Sequence, residues 1–345
     1  MSSLSRPSKI VTQDGTCASA PANIALVKYW GKRNRHLNLP VSDSIAVCLD
    51  SARSFAEFGP GQGAVYWNER PLASALTAPY HRLCAAFGSG GIMPATCELR
   101  IRSGLPARVG LASSSAAFAA CAGAIAYGMD PLMSEAEMSV LARTGSGSAC
   151  RSIPDGFTRW HRGQRADGTD SHAVSIAGPD HWPELRIITV ELSCEPKRFS
   201  STEGMLATAA TSPLFQYWSD LCNSATEETV TAIRNRDFSA LSELACGQAR
   251  ALHALCLTTS PPLLYLLPES VTLLTRLAVD LAGFQWLYTF DAGPNPILVT
   301  LQKWEVEIRE ALSVYVPEEG IRVFKPGLGV RQESCPRRED FPDAT

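Results

Sequence analysis

The segment PARVGLASSSAA, residues 106–117, decides how the rest of the chain is read. Its glycine, alanine and serine side chains are small enough for a backbone to lie close against a polyphosphate. The first amides of the helix that follows would point at such a ligand, and the helix dipole favours its negative charge. The serine hydroxyls can meet phosphate oxygens or a magnesium ion. The segment has neither the Gly-Lys-Ser of a Walker loop nor the GxGxxG of a dinucleotide fold. Small residues in this pattern also suit a tightly packed helix, so taken alone it leaves both readings open.

Around it lies a chain of 345 residues, 45% hydrophobic, long enough for two packed domains or one large one. A formal net charge of -3, with dispersed Lys and Arg, offers no basic stripe for nucleic acid. Residues 109–129 carry no charge over about the length a bilayer needs. Alanine, glycine and serine dominate there, and Arg108 stands at one end, so a buried helix is expected and not a membrane span. The first seventeen residues, MSSLSRPSKIVTQDGTC, lack an apolar core, and a cytoplasmic protein is expected. The 11 cysteines include no CxxC pair and the 6 histidines no HxxxH spacing, which predicts reduced, mostly buried thiols and no zinc site.

Strands and helices alternate through the first half. AVCLD (46–50) and SFAEF (54–58) read as short apolar strands, CELRIR (97–102) as an alternating one, and 113–127 as a helix closed by Gly128. A second helix opens at Ser134 with Glu137 three residues on, a capping-box pattern. LRIITVEL (185–192) reads as a strand. Residues 200–280 are mostly helical with a break at Pro261-Pro262, followed by strands WLYTF and PILVTL, an amphipathic helix at 306–314 and a last strand IRVF. This order predicts two α+β domains, 1–190 and 191–325, and a flexible tail over 326–345.

Four further stretches carry chemistry. In NIALVKYWGKR (23–33) an apolar strand runs into a turn with Lys28, Lys32 and Arg33 beside Tyr29 and Trp30, where partly desolvated cations would meet an anion; a solvated basic turn is the alternative. GSGSACRS (145–152) joins flexible backbone to Arg151, suited to bidentate capture of a carboxylate or phosphate, although such a stretch also serves as a linker. SSTEGM (200–205) puts hydroxyls at a helix start. In TFDAGPN (289–295) the lone carboxylate of Asp291 precedes a Gly-Pro turn, a position where Asp ordinarily serves the turn itself.

These stretches, with HALCLTTSPPLLYL (253–266), occur in the order and approximate spacing of the diphosphomevalonate decarboxylase family, which the chain resembles from about Ala20 to Phe324. The resemblance implies a GHMP kinase-like α+β fold of two domains, the first like ribosomal protein S5 domain 2 and the second ferredoxin-like, with the active site in the cleft between them. It implies ATP-dependent conversion of (R)-5-diphosphomevalonate to isopentenyl diphosphate, with ATP and magnesium as cofactors, in a homodimer. Carried over by motif, Asp291 faces the C3 hydroxyl, Lys28 is its cationic neighbour and Arg151 holds the substrate carboxylate. Asn23, Tyr29, Lys32, Ser146, Ser148, Ser201 and Met205 match substrate-lining positions. Pro106, Gly110, Leu111, Ala112, Ser113 and Ser114 match the nucleotide loop, with Ser114 as the magnesium ligand.

The chain departs from the family pattern at Arg108, at Ser115, over Pro154-Asp155-Gly156, and at Thr202, where some bacterial members carry arginine. The rival readings are a decarboxylase or 3-kinase acting on mevalonate or 5-phosphomevalonate, and a non-catalytic sensor of the same ligands.

Overall fold

Every residue of the strand Thr16–Val27 is buried, which requires cover on both faces, and the rest of the architecture supplies it. The computed structural model describes residues 15–85, 97–103, 113–195 and 198–335. In chain order, β1 (Thr16–Val27), β2 (Lys32–Asn34), β3 (Leu39–Pro40), β4 (Ser44–Pro60), β5 (Val65–Trp67) and β6 (Arg70–Pro71) lead to α1 (Ser74–Ala85) and β7 (Cys97–Ser103). Next come α2 (Ser113–Met129), α3 (Glu135–Gly145), β8 (Phe157–Trp160), β9 (Ala173–Ala177) and β10 (Leu185–Val190). Helices α4 (Ser201–Thr211), α5 (Phe215–Asn235), α6 (Phe238–Leu257) and α7 (Pro268–Asp280) precede β11 (Trp286–Thr289), β12 (Ile297–Leu301), α8 (Glu305–Ser313), β13 (Ile321–Phe324) and β14 (Arg331–Glu333).

The first sheet runs β14-β1-β4-β7-β5-β6, with β8 on β4 and β9 on β8; the second is antiparallel, β11-β12-β10-β13. The expected strands 46–50 and 54–58 are one strand, β4, of 17 residues. Its first half pairs with β8 and its second with β7, so a single chain segment serves two neighbours, and the exposed Asp50-Ser51 pair that suggested a break lies within it. β10, whose residues 185–190 were expected in the first domain, pairs with β12 and β13 in the second sheet.

The alanine run of α2 is buried throughout, with Ala117, Ala120 and Ala124 fully inaccessible against Ala18 and Ala20 of β1. A Cβ on Gly123 would lie 2.5 Å from Val330 and 3.0 Å from Ala18, so packing alone accounts for the small residues in the body of this helix. The helix continues through Gly128 to Met129. Among the described residues no helix is long and apolar enough to cross a membrane. Beyond the register shift between Pro21 and Asn23, Ile24 and Leu26 of β1 turn to a second core built with Trp218 and Cys222 of α5 and Leu252 and Leu255 of α6. One core therefore spans both sheets. The predicted capping box of α3 is present: Ser134 Oγ accepts from the Glu137 amide while the Glu137 carboxylate accepts from the Ser134 amide.

Two expectations about the chain's last part are corrected. Residues 331–333, expected in a flexible tail, pair with β1, and Val330 is buried. The reason lies in one of the departures noted above. Asp155 accepts from Arg331 Nη2 at 2.6 Å on each carboxylate oxygen and from the Gly329 amide at 2.8 Å. Gly156, at φ +65, passes under the Ala177 carbonyl, where a Cβ would come within 2.3 Å. Cysteine chemistry differs as well: Cys17 and Cys335 form a disulfide, although all the other cysteines except Cys194 are buried as expected. Spacing along the chain gave no sign of a pair 318 residues apart. Replacing Val330 with alanine should lower unfolding stability by about 1–3 kcal/mol, read as a lower urea midpoint with the urea dependence unchanged.

Candidate active site between the two sheets

Lys28 is the first residue past β1, where the strand emerges from the shared core. Its amide donates to Gln248 Oε1 of α6 at 3.2 Å, and its Nζ donates to the Ala25 carbonyl at 3.0 Å and to Asp291 Oδ1 at 2.9 Å. The Lys28 side chain is 2% exposed and that of Asp291 33%. Burial pulls the Lys28 ammonium below its ordinary pKa, Asp291 pulls it back, and Arg151 adds a smaller downward push. Asp291 sits just beyond β11, anchored by the buried Phe290. The turn expected there is made by its backbone, whose carbonyl accepts from the Gly293 amide at 2.8 Å, while its carboxylate accepts from Lys28.

Arg151 lies in a 3-10 turn over 147–152, 4% exposed. Its Nε donates to Asn23 Oδ1 at 3.2 Å and its Nη1 to Ser44 Oγ at 2.7 Å, while Asn23 Nδ2 donates to the Ser148 carbonyl and to Ser152 Oγ. These partners are neutral, and among the described residues the guanidinium forms no ion pair. Burial lowers its pKa, with Asp291 partly opposing. Such a buried cation gains strongly from an arriving carboxylate.

Tyr29 packs against Trp160, ring centroids 4.6 Å apart, and its hydroxyl is buried with no hydrogen-bond partner among the described residues. Burial raises its pKa, so the phenol keeps its proton as a donor. Gly147 is required beneath it, since a Cβ there would lie 2.5 Å from that hydroxyl. Lys32 Nζ donates to Asn38 Oδ1 at 2.8 Å, Ser146 ends α3, and Ser201 opens α4 behind the Ser200 capping box. Met205 is buried one turn further on.

Asn23, Lys28, Tyr29, Lys32, Ser146, Ser148, Arg151, Ser201, Met205 and Asp291, with Ser114 in the first turn of α2, border one cavity of about 670 Å³ between the sheets. Ser113 opens α2; Pro106, Gly110, Leu111 and Ala112 lie outside the described residues, as does Arg108. The cavity also takes in Arg35, Asn38 and Arg82, which the motifs did not flag: none belongs to a recognisable pattern, and Arg82 arrives from α1. Ser44 and Gln248 act from beneath by orienting Arg151 and Lys28. His253 stacks edge-on against Phe290 at 5.6 Å and is held neutral, its pKa pulled to about 4 by burial and then by Lys28.

Asp291 is the one carboxylate among the described residues bordering the cavity, against five Lys and Arg side chains. No described group of three or more His, Cys, Asp or Glu could hold a metal ion. This donor set suits polyanions bound by cations, hydroxyls and the opening of α2, with the phosphates supplying most ligands to any magnesium ion.

Residues 20–173 match the family model of the diphosphomevalonate decarboxylase-like N-terminal domain, and 187–338 that of the mevalonate 5-diphosphate decarboxylase C-terminal domain. The diphosphomevalonate decarboxylases of Bos taurus and Homo sapiens are each 35% identical to this chain, over 91% and 92% of it and 84% of their own length. The mevalonate diphosphate decarboxylase of Enterococcus faecalis superposes with a TM-score of 0.83 at 28% identity, covering 92% of this chain and 98% of that one. A solved complex with MVAPP, AMPPCP and magnesium gives the same TM-score, identity and coverage.

The unpartnered Tyr29 hydroxyl predicts that Tyr29→Phe folds as stably as the parent, within about 1 kcal/mol, because no intramolecular hydrogen bond is lost. Gly147→Ala should destabilise by displacing the ring. Urea denaturation of the two variants side by side checks both.

Proposed function

The chain belongs to the diphosphomevalonate decarboxylase family, and we propose that it converts (R)-5-diphosphomevalonate and ATP to isopentenyl diphosphate, ADP, phosphate and carbon dioxide. The observation that carries the residue assignment is the 2.9 Å Lys28–Asp291 pair in a cavity shared with Arg151.

A tertiary hydroxide is a poor leaving group, and transfer of the ATP γ-phosphoryl group to the C3 oxygen turns it into phosphate. Asp291, ion-paired to Lys28, accepts the proton of the C3 hydroxyl as the new O–P bond forms. The C3–O bond then breaks and takes its electron pair with the phosphate. The proton held by Asp291 passes to the departing phosphate, and the carboxylate so restored stabilises the positive charge that grows at C3. Arg151 fixes the carboxylate so that the C1–C2 bonding pair is aligned to become the C2=C3 double bond, releasing carbon dioxide. Tyr29, Ser146, Ser148 and Ser201 offer hydroxyl donors along the substrate, and Asn23 keeps Arg151 in position. Ser113, Ser114 and the opening of α2 serve the ATP phosphates. When bound, magnesium neutralises phosphate charge, and Ser114 is the hydroxyl that would hold it. A cytoplasmic homodimer belongs to the same proposal and is supported by the resemblance.

Incubation with ATP, magnesium and each of mevalonate, its 5-phosphate and its 5-diphosphate tests the reaction: ADP and carbon dioxide should appear in equal amounts with the diphosphate. ADP without carbon dioxide would make the protein a kinase, and ligand binding without ADP a sensor. Asp291→Asn should lower turnover by roughly a thousandfold while ATP still binds. Because Lys28 and Asp291 act as one unit, the double variant with Lys28→Met should lose far less than the product of the two single losses. Near-parental turnover in Asp291→Asn would remove the assigned role.

A further inference from the structure

Arg143 is a buried cation that the mechanism does not use. It lies near the end of α3, is 1% exposed, and among the described residues forms no ion pair. Its guanidinium donates to backbone carbonyls instead: Nε to Leu37 at 3.0 Å, and Nη1 to Gly168 at 2.8 Å and to Ser171. Leu37 belongs to the β2–β3 turn, and Gly168 and Ser171 to the loop that joins β8 to β9. Gly168, at φ +71, lets that loop close on the guanidinium, since a Cβ there would lie 2.7 Å from Arg143 Nη2. Segments distant in sequence are thus tied to one rigid, planar fork.

From that fork a relay runs to the cavity. Ser171 Oγ accepts from Trp160 Nε1 at 3.1 Å and donates to the His161 carbonyl at 3.0 Å. Trp160, fully inaccessible, packs against the Tyr29 ring with centroids 4.6 Å apart. Burial raises the Tyr29 pKa, and the charge of Arg143 is among those that oppose the rise, which places the two within electrostatic reach. Tyr29 borders the cavity, and its hydroxyl, without a hydrogen bond among the described residues, takes its direction from the packing of its ring.

We propose that Arg143 is a positioning residue for the substrate: through Ser171 and Trp160 it sets the direction of the Tyr29 hydroxyl, which donates to bound 5-diphosphomevalonate. The inference rests on the function proposed above. A guanidinium suits the task because its N–H groups diverge within one plane and meet the carbonyls of two loops at fixed angles. An uncompensated buried cation costs stability, and a core built for stability alone would fill this place with an apolar side chain. Lysine in the same place keeps the charge and loses the geometry.

The test compares the parent with Arg143→Lys and Ser171→Ala, each also combined with Tyr29→Phe. With 3-fluorotyrosine incorporated, the Tyr29 signal in the fluorine NMR spectrum is the one missing from Tyr29→Phe. Without any ligand, that signal should move or broaden in Arg143→Lys and in Ser171→Ala while the other tyrosine signals hold. In steady state, Arg143→Lys should raise KM for 5-diphosphomevalonate about 5- to 20-fold, with kcat and KM for ATP changed less than about twofold. In the Tyr29→Phe background the same exchange should add less than about twofold. An unmoved Tyr29 signal, an equal rise in KM for both substrates, or effects that multiply in the double variant would each overturn the proposal. If Arg143→Lys does not fold, Ser171→Ala decides it, because there the clamp stays and only the arm to Trp160 is cut. If the parent releases no carbon dioxide while the Tyr29 signal moves, the decarboxylase reading fails and the relay stands; if the signal does not move, the relay fails whatever the turnover.

Discussion

A buried ammonium group needs a counterion, and for Lys28 that counterion comes from the other sheet. The ammonium emerges from β1 of the first sheet, and the carboxylate that neutralises it follows β11 of the second. Removing one partner from such a pair costs about 3–5 kcal/mol, more than most single contacts contribute. The relative position of the sheets is thus tied to the chemistry of the cleft. The core that joins Ile24 and Leu26 to α5 and α6, and the Trp218 Nε1 bond to the Trp30 carbonyl at 2.7 Å, hold the frame within which that pair can form.

The same pair governs the electrostatics toward a ligand. Lys28, Asp291 and Arg151 together leave one net positive charge in a buried region, and among the described residues Arg151 donates only to the neutral oxygens of Asn23 and Ser44. Such a site favours anions and stabilises positive charge only where Asp291 can reach it. That division of labour fits a substrate whose carboxylate is held at one point while cationic character develops at a neighbouring carbon.

Much of this was legible in the sequence because it is local. Ser134 and Glu137 announce a helix start three residues apart, and the alternation around CELRIR marks a strand. TFDAGPN places an acid at a strand end. What stayed hidden depends on distant partners. The 17-residue β4 read as two strands because Asp50 and Ser51 interrupt the apolar pattern. Arg82 looked like any surface arginine until α1 brought it to Thr144. Asp155 looked like a local departure, and its meaning emerged only with Arg331, 176 residues on. For the GLASSS stretch the two readings coexist, since the alanines fill the core while Ser114 reaches the cavity.

The Cys17–Cys335 bond closes almost all of the described chain into a covalent ring, in which both domains are arcs. A protease that cuts one exposed turn would open the ring without releasing a fragment, and the two pieces would part only on addition of a thiol. The unfolded ring also has fewer conformations than a linear chain of equal length, which favours the folded form. In reducing surroundings the closure is lost, and the last strand is then held by its register on β1 and the grip of Asp155 on Arg331.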